Sequence, residues 1–211
     1  MLLEVNHLDF DYPNNDFSYQ SKPLLQDICF SLSSGSLLHL RGNNGSGKTT
    51  LLRLLAGLLQ PVSGEICSNG LNIEKQRISY QEQLCYVGHK TGISPALTVI
   101  ENCRFDLQYG ALHRDDEMCD ELLRRFALFE FKDTVCALLS AGQRRRVGLF
   151  RLLLSQATVW LLDEPLVALD HDMIDVLMNC LNEHLHSGGS IILTSHQRLP
   201  LNIETYQEYC L

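Results

Sequence analysis

The residues Gly42-Asn43-Asn44-Gly45-Ser46-Gly47-Lys48-Thr49 match the pattern G-x-x-x-x-G-K-[ST] without a mismatch. The spacing serves one chemistry. Glycines let the backbone curl until successive N–H groups point inward at a polyphosphate. The helix that follows adds its partly positive N-terminus, beginning at Lys48, Thr49 and Thr50. Lys48 is placed to reach the β- and γ-phosphates, and Thr49 to put its hydroxyl on Mg²⁺. A chance glycine loop is the bland alternative. The apolar run Ser36 to Arg41 before it and the helical pattern after it argue against that.

A second constellation lies far along the chain. Val159-Trp160-Leu161-Leu162 is apolar and runs directly into Asp163 and Glu164. Buried carboxylates directly after a strand are costly unless a cation holds them; solvated acids at a strand end are the bland alternative, weakened by the phosphate loop earlier in the chain. Asp163 suits a Mg²⁺ contact, and Glu164 suits a general base that polarises an attacking water.

Elements must position these groups. Leu2–Val5 and Ile28–Leu32 read as strands, and Tyr12–Pro23 as a polar loop. A helix is predicted over Lys48–Leu59, closed by Pro61. Residues 64–87 read as β-rich. Residues 88–140 change to helical spacing, with Asp115 as a candidate N-cap and Leu122, Leu123, Phe126 and Phe129 on one face. Ala141–Gln156 and Asp172–His186 read as helices, and Thr158–Asp163 and Ser190–Thr194 as buried strands. Apolar strands alternating with helices predict a parallel sheet covered on both faces.

Composition narrows the function classes. The chain has 211 residues, 45% hydrophobic and 20% charged, which excludes a disordered segment. The net charge of −8 argues against sequence-independent binding to nucleic acid, and none is expected as a partner. The eight cysteines show no C-x-x-C spacing and read as reduced small hydrophobes. The opening residues carry no basic region of the secretory kind, and no uncharged stretch reaches the roughly 20 residues of a membrane span.

Leu139-Ser140-Ala141-Gly142-Gln143 resembles the LSGGQ signature of ABC transporter ATPases. Ala168-Leu169-Asp170 is similar to their D-loop, and Thr194-Ser195-His196 to their H-loop, with His196 as the switch histidine. Together with the phosphate loop and Asp163-Glu164, these motifs cover essentially the whole chain. The resemblance implies an α/β fold of the P-loop NTPase class. Such a fold has a RecA-like core with a mainly parallel sheet, an antiparallel β subdomain and an inserted helical subdomain. It implies a single nucleotide-binding domain over 1–211. Residues of about 1–87 and 141–211 would form the core and β subdomain, and about 88–140 the helical subdomain.

Further roles follow from the same resemblance. ATP and Mg²⁺ are the implied cofactors, with Glu164, His196 and Lys48 catalytic and Thr49 and Asp163 on the metal. Two copies would meet head to tail, so that Leu139 to Gln143 of one face the ATP of the other, with Asp170 beside them. Tyr12 resembles the aromatic that stacks on adenine; a surface loop tyrosine is its rival, and Phe10 and Tyr19 are alternatives. Ala141 replaces the usual glycine, which a negative φ there would tolerate. His89 stands where most members have the Q-loop glutamine; it either contacts the catalytic water and metal shell or faces a partner. The run Arg144-Arg145-Arg146 reads as helix surface and packing, with a contact across the dimer as the lesser alternative.

Gly88 to Ile93, Leu97 to Asn102 and the sequence around the signature resemble, more narrowly, the ATP-binding subunits of haem exporters in bacterial cytochrome c biogenesis. That implies integral membrane partners of the CcmB and CcmC type and a place at the cytoplasmic face of the inner membrane. The alternative is a soluble ABC ATPase of iron–sulfur assembly or translation. The short distance from Gly47 to Ser140 leaves no room for the coiled coil of DNA-repair members. A module that binds ATP without hydrolysing it is disfavoured, because Lys48, Asp163, Glu164 and His196 are all present.

Overall fold

The computed structural model describes residues 3–13, 23–109, 116–196, 199 and 205–211. Two strands come first, β1 (Leu3–Phe10) and β2 (Leu25–Leu32), then the buried β3 (Leu37–Arg41). The phosphate loop leads into α1 (Lys48–Leu55). Next are β4 (Ser63–Ser68), β5 (Leu71–Asn72), α2 (Arg77–Glu82) and β6 (Leu84–Val87). The helices α3 (Val99–Tyr109) and α4 (Asp116–Arg125) follow, with single 3₁₀ turns at Phe129–Phe131 and Cys136–Leu138. The chain closes with α5 (Ala141–Leu154), β7 (Val159–Asp163), α6 (His171–His186), β8 (Ser190–Thr194) and β9 (Tyr206–Cys210).

The strands form two sheets. One is antiparallel, in the order β2-β1-β4-β5, and the other runs β6-β7-β8-β3-β9 with every pairing parallel. The central strands of the parallel sheet are mostly apolar and buried nearly from end to end, with His39 the polar exception inside β3, as a sheet covered on both faces requires. Their side chains alternate between two cores. Leu37, Trp160, Leu162, Ile191 and Leu193 pack with α5 and α6. Leu38, Leu40, Val159, Leu161 and Ile192 pack instead with α1 and the antiparallel sheet. The parallel sheet is therefore the middle layer, and its period of two divides one hydrophobic run between two cores.

Several boundaries depart from the sequence reading. α1 ends at Leu55 and not at Leu59, because the chain turns at Ala56 and Gly57. The stretch 64–87 contains the short α2, whose Tyr80 is buried and donates its hydroxyl proton to the Leu55 carbonyl at 2.6 Å. β9 is absent from the sequence reading. Asp115 and Tyr19 lie outside the described residues. None of the eight cysteines is in a disulfide; six are buried, and Cys29 and Cys210 are exposed. No described helix is long and apolar enough to cross a membrane.

Candidate functional site

The site sits at the carboxyl ends of the parallel strands, where open α/β sheets place their ligands. β3 ends in the phosphate loop. Gly42, Gly45 and Gly47 take positive φ there (147°, 82° and 97°), the curl that the glycine pattern predicts. Lys48 lies across the loop, with Nζ donating to the Gly42 carbonyl at 2.8 Å and the Asn43 carbonyl at 2.9 Å. An ammonium has three protons, so this geometry leaves one for an anion in the loop.

β7 and β8 bring the acids up to the loop. Their register pairs Asp163 with Thr194. Asp163 is buried, and both its carboxylate oxygens accept from hydroxyls: Oδ2 from Thr49 at 2.8 Å, Oδ1 from Thr194 at 2.9 Å. Thr49 and Asp163 thus present adjacent hard oxygen donors, a set that suits Mg²⁺.

Glu164 has φ +50°, a left-handed conformation that a non-glycine residue adopts only under constraint. The constraint is visible on both sides. The Thr194 hydroxyl accepts the Glu164 N–H at 2.9 Å, and Arg145 donates to its carbonyl at 2.8 Å. The Glu164 side chain is mostly buried. Its Oε1 makes no hydrogen bond, and His196 Nε2 lies 3.3 Å away, within ion-pairing distance. Lys48, Thr49, His89, Asp163, Glu164 and His196 all line one cleft. The structure therefore brings His89, whose role the sequence leaves open, beside the acids.

Tyr12 packs edge-to-face on Phe10 with centroids 5.0 Å apart, and its hydroxyl lies 3.1 Å from Thr50 Oγ1. It remains partly exposed near the start of α1, while Phe10 is buried in the core.

The signature segment starts α5. Ser140 caps that helix, accepting from Gln143 N at 3.1 Å, while Gln143 Oε1 accepts from Ser140 N at 2.8 Å. This reciprocal capping box fixes the turn. Leu139 is buried, and Ala141 does not have a positive φ, so its methyl is accommodated. Gly142 lies against the D-loop, where a Cβ would meet the Ala168 carbonyl oxygen at 2.8 Å. Asp170 caps α6 through Met173 N at 3.0 Å and pairs with Arg146. Signature and D-loop are one packed unit.

Arg145 adjoins the site, although the sequence reading takes Arg144 to Arg146 mainly as helix surface and packing. It is buried rather than on the surface, and it donates to three carbonyls: Gly88 at 2.9 Å, Asp163 at 2.9 Å and Glu164 at 2.8 Å. It joins the signature helix to the segment before His89 and to the acid pair. Burial lowers its pKa, and the facing carboxylates of Asp163 and Glu164 oppose that shift. A readable signal was present. Gly148, Leu149 and Leu152 follow at helical spacing on the buried face, so Arg145 stands on an apolar stripe.

Fold and site together define a nucleotide-binding protein of the phosphate-loop class. The ABC transporter family model matches residues 25–167, and the chain belongs to that family. It is 50% identical to the cytochrome c biogenesis ATP-binding export protein CcmA of Legionella pneumophila strain Lens, over 100% of both chains. It is 43% identical to the CcmA of Mannheimia succiniciproducens, over 88% of this chain and 89% of that one. Among solved structures, an ATP-binding subunit of an ABC transporter superposes with a TM-score of 0.80 at 29% identity, covering 93% of this chain and 80% of that one. A dimeric ATP-binding cassette bound to ADP and Pi shares the fold, with a TM-score of 0.78 at 22% identity over 92% and 88% of the two chains.

Proposed function

We propose that the chain is the ATP-hydrolysing subunit of a membrane export complex that handles haem in cytochrome c biogenesis. The observation that carries the ATPase part is the shared cleft of Lys48, Asp163, Glu164 and His196. The cytochrome c part rests on relatives named for that export over their full length.

In this reading the loop amides from Gly42 to Gly47 and the free proton of Lys48 hold the β- and γ-phosphates. Asn43, Asn44 and Ser46 shape the loop, and Thr50 and Tyr12 border the adenine side. Thr49 Oγ1 and Asp163 hold Mg²⁺, which when bound offsets charge on the phosphate oxygens. Glu164 takes the proton of a water as its oxygen bonds to the γ-phosphorus, and the bond to ADP breaks. His196 orients the Glu164 carboxylate and the γ-phosphate. Ser140 and the amides at Ala141 and Gly142 of a second copy bind the same γ-phosphate at the start of α5, so closure needs a head-to-tail dimer. Residues 1–211 act as one nucleotide-binding domain, with about 88–140 receiving a coupling element from membrane subunits of the CcmB and CcmC type. The complex then works at the cytoplasmic face of the inner membrane.

Two experiments test the two parts. Glu164→Gln is expected to lower ATP hydrolysis at least about 100-fold while retaining nucleotide binding and accumulating an ATP-bound dimer. Hydrolysis at the unmodified rate would remove Glu164 as the base. Mild detergent isolation of the tagged chain from native membranes is expected to recover stoichiometric polytopic partners of cytochrome c maturation. A wholly soluble partner set would leave the ATPase chemistry and overturn the export role.

A further inference from the structure

Away from the cleft, two β-bulges bring three metal-ligating side chains to one point of the antiparallel sheet. Between its residues paired to Phe30 and Ile28, β1 carries Asn6 and His7 where β2 carries only Cys29. One step on, the count reverses: β2 carries Gln26 and Asp27 between Leu25 and Ile28, against Asp9 alone on β1. Two-against-one steps of this kind bend the strand and re-aim side chains.

The bulges are built rather than incidental. His7 and Asp27 both take left-handed backbone (φ 47° and 51°), which costs a non-glycine residue about 1 kcal/mol or more. β4 seats the first bulge from its other side. Gly64 stands there opposite His7 and Leu8, and a Cβ on it would meet the His7 carbonyl oxygen at 2.2 Å. Asp9 ties down the second, accepting from Asp27 N at 2.7 Å and from the Ser63 hydroxyl at 2.6 Å.

The outcome is a compact donor set. His7 Nδ1 lies 2.7 Å from Asp27 Oδ1, and Cys29 Sγ lies 3.7 Å from that nitrogen and 3.8 Å from that oxygen. All three atoms fall within 4.8 Å of one another. Tetrahedral zinc, with Zn–S about 2.3 Å and Zn–N or Zn–O about 2.0 Å, sets sulfur-to-nitrogen and sulfur-to-oxygen separations of about 3.5 Å. The sulfur already stands near that distance. The His7–Asp27 pair needs to open by roughly 0.6 Å as a cation replaces their shared proton. The His7 amide also donates to Cys29 Sγ at 3.2 Å, an outer-shell bond that favours a thiolate ligand. All three residues are exposed, so a cation reaches them from solvent.

We propose that His7, Asp27 and Cys29 form a surface site for Zn²⁺ or a comparably thiophilic divalent cation, with water in the fourth position. One thiolate, one imidazole and one carboxylate select such a cation over Mg²⁺, which demands oxygen. The site is separate from the nucleotide cleft and shares no residue with it.

Cobalt(II) is the probe, titrated into the chelator-stripped full chain. The expected result is a sulfur-to-cobalt charge-transfer band in the near ultraviolet that saturates at one equivalent and is bleached by Zn²⁺. Cys29→Ser removes the band, Cys210→Ser leaves it, and His7→Ala weakens cobalt affinity at least about tenfold. No band in the unmodified chain at saturating cobalt, or a band that survives Cys29→Ser, overturns the proposal.

Discussion

Glu164, the proposed general base, owes its position to backbone contacts more than to its own side chain. Glu164 is held in left-handed backbone between the Thr194 hydroxyl and the Arg145 guanidinium. Strain of this kind persists only where neighbours over-determine it. Arg145 is the larger partner, because its fork serves three carbonyls on two segments. Arg145→Ala leaves those carbonyls without a donor, at about 1–3 kcal/mol for each one that water does not reach. The expected outcome is a stability loss of about 3 kcal/mol in urea unfolding and an ATPase rate down at least about tenfold. Arg145→Lys is expected to recover stability in part and rate poorly, since an ammonium cannot reproduce a planar fork. An alanine variant with unmodified rate and midpoint would show that the clamp has no role.

At the scale of elements, the start of α5 carries two tasks that a single substitution separates. Ser140 caps the helix in this chain, and in the proposed dimer it meets the partner's γ-phosphate. Ser140→Ala loses the cap, at about 1 kcal/mol. Ser140→Asp keeps it, because aspartate caps as well as serine, but sets a carboxylate where a phosphate must come. The aspartate variant is therefore expected to unfold within about 0.5 kcal/mol of the unmodified chain and to lose ATP hydrolysis almost completely. Retained hydrolysis in Ser140→Asp would mean that the signature never meets a phosphate. The elements also show what the sequence made legible. The phosphate loop and the apolar β7 and β8 were readable because each is a local pattern with one dominant physical cause. β9 was not: Tyr206–Cys210 is mostly polar, and its position depends on pairing with β3 far back in the chain. The bulges of β1 and β2 were equally hidden, since no glycine or asparagine occupies the left-handed positions at His7 and Asp27. Arg145 lay between, because a charge on an apolar stripe marks burial without naming its partners.

For the whole molecule, the parallel sheet couples stability to pH through two histidines that the chemistry does not use. His39 on β3 is buried, with Nε2 donating to the Ser195 carbonyl at 3.1 Å and Nδ1 2.7 Å from the Tyr206 hydroxyl on β9. His184 on α6 stacks flat on Trp160 of β7, with centroids 3.8 Å apart. Burial lowers the pKa of both below the ordinary histidine value. For His39 the opposing influences are its bond to the Ser195 carbonyl and the charges of Glu208 and Glu164, and Arg41 adds to the lowering. The sign follows from linkage. The unfolded chain binds protons on these rings near pH 6.5, and the folded chain resists until a lower pH. Their contribution is complete above about pH 6.5 and is lost as pH falls toward the lowered folded values. The melting temperature is therefore expected to fall between pH 7.5 and 5.5, and to fall less in a His39→Gln, His184→Gln double variant. Because Ser195 adjoins His196, loosening His39 is expected to free the backbone that carries this proposed switch histidine. The acid limb of the ATPase profile is thus expected to move to higher pH with any substitution that weakens the His39–Ser195 bond. An acid limb unchanged in His39→Ala, measured well below its melting temperature, would confine His39 to holding β3 and β9 together.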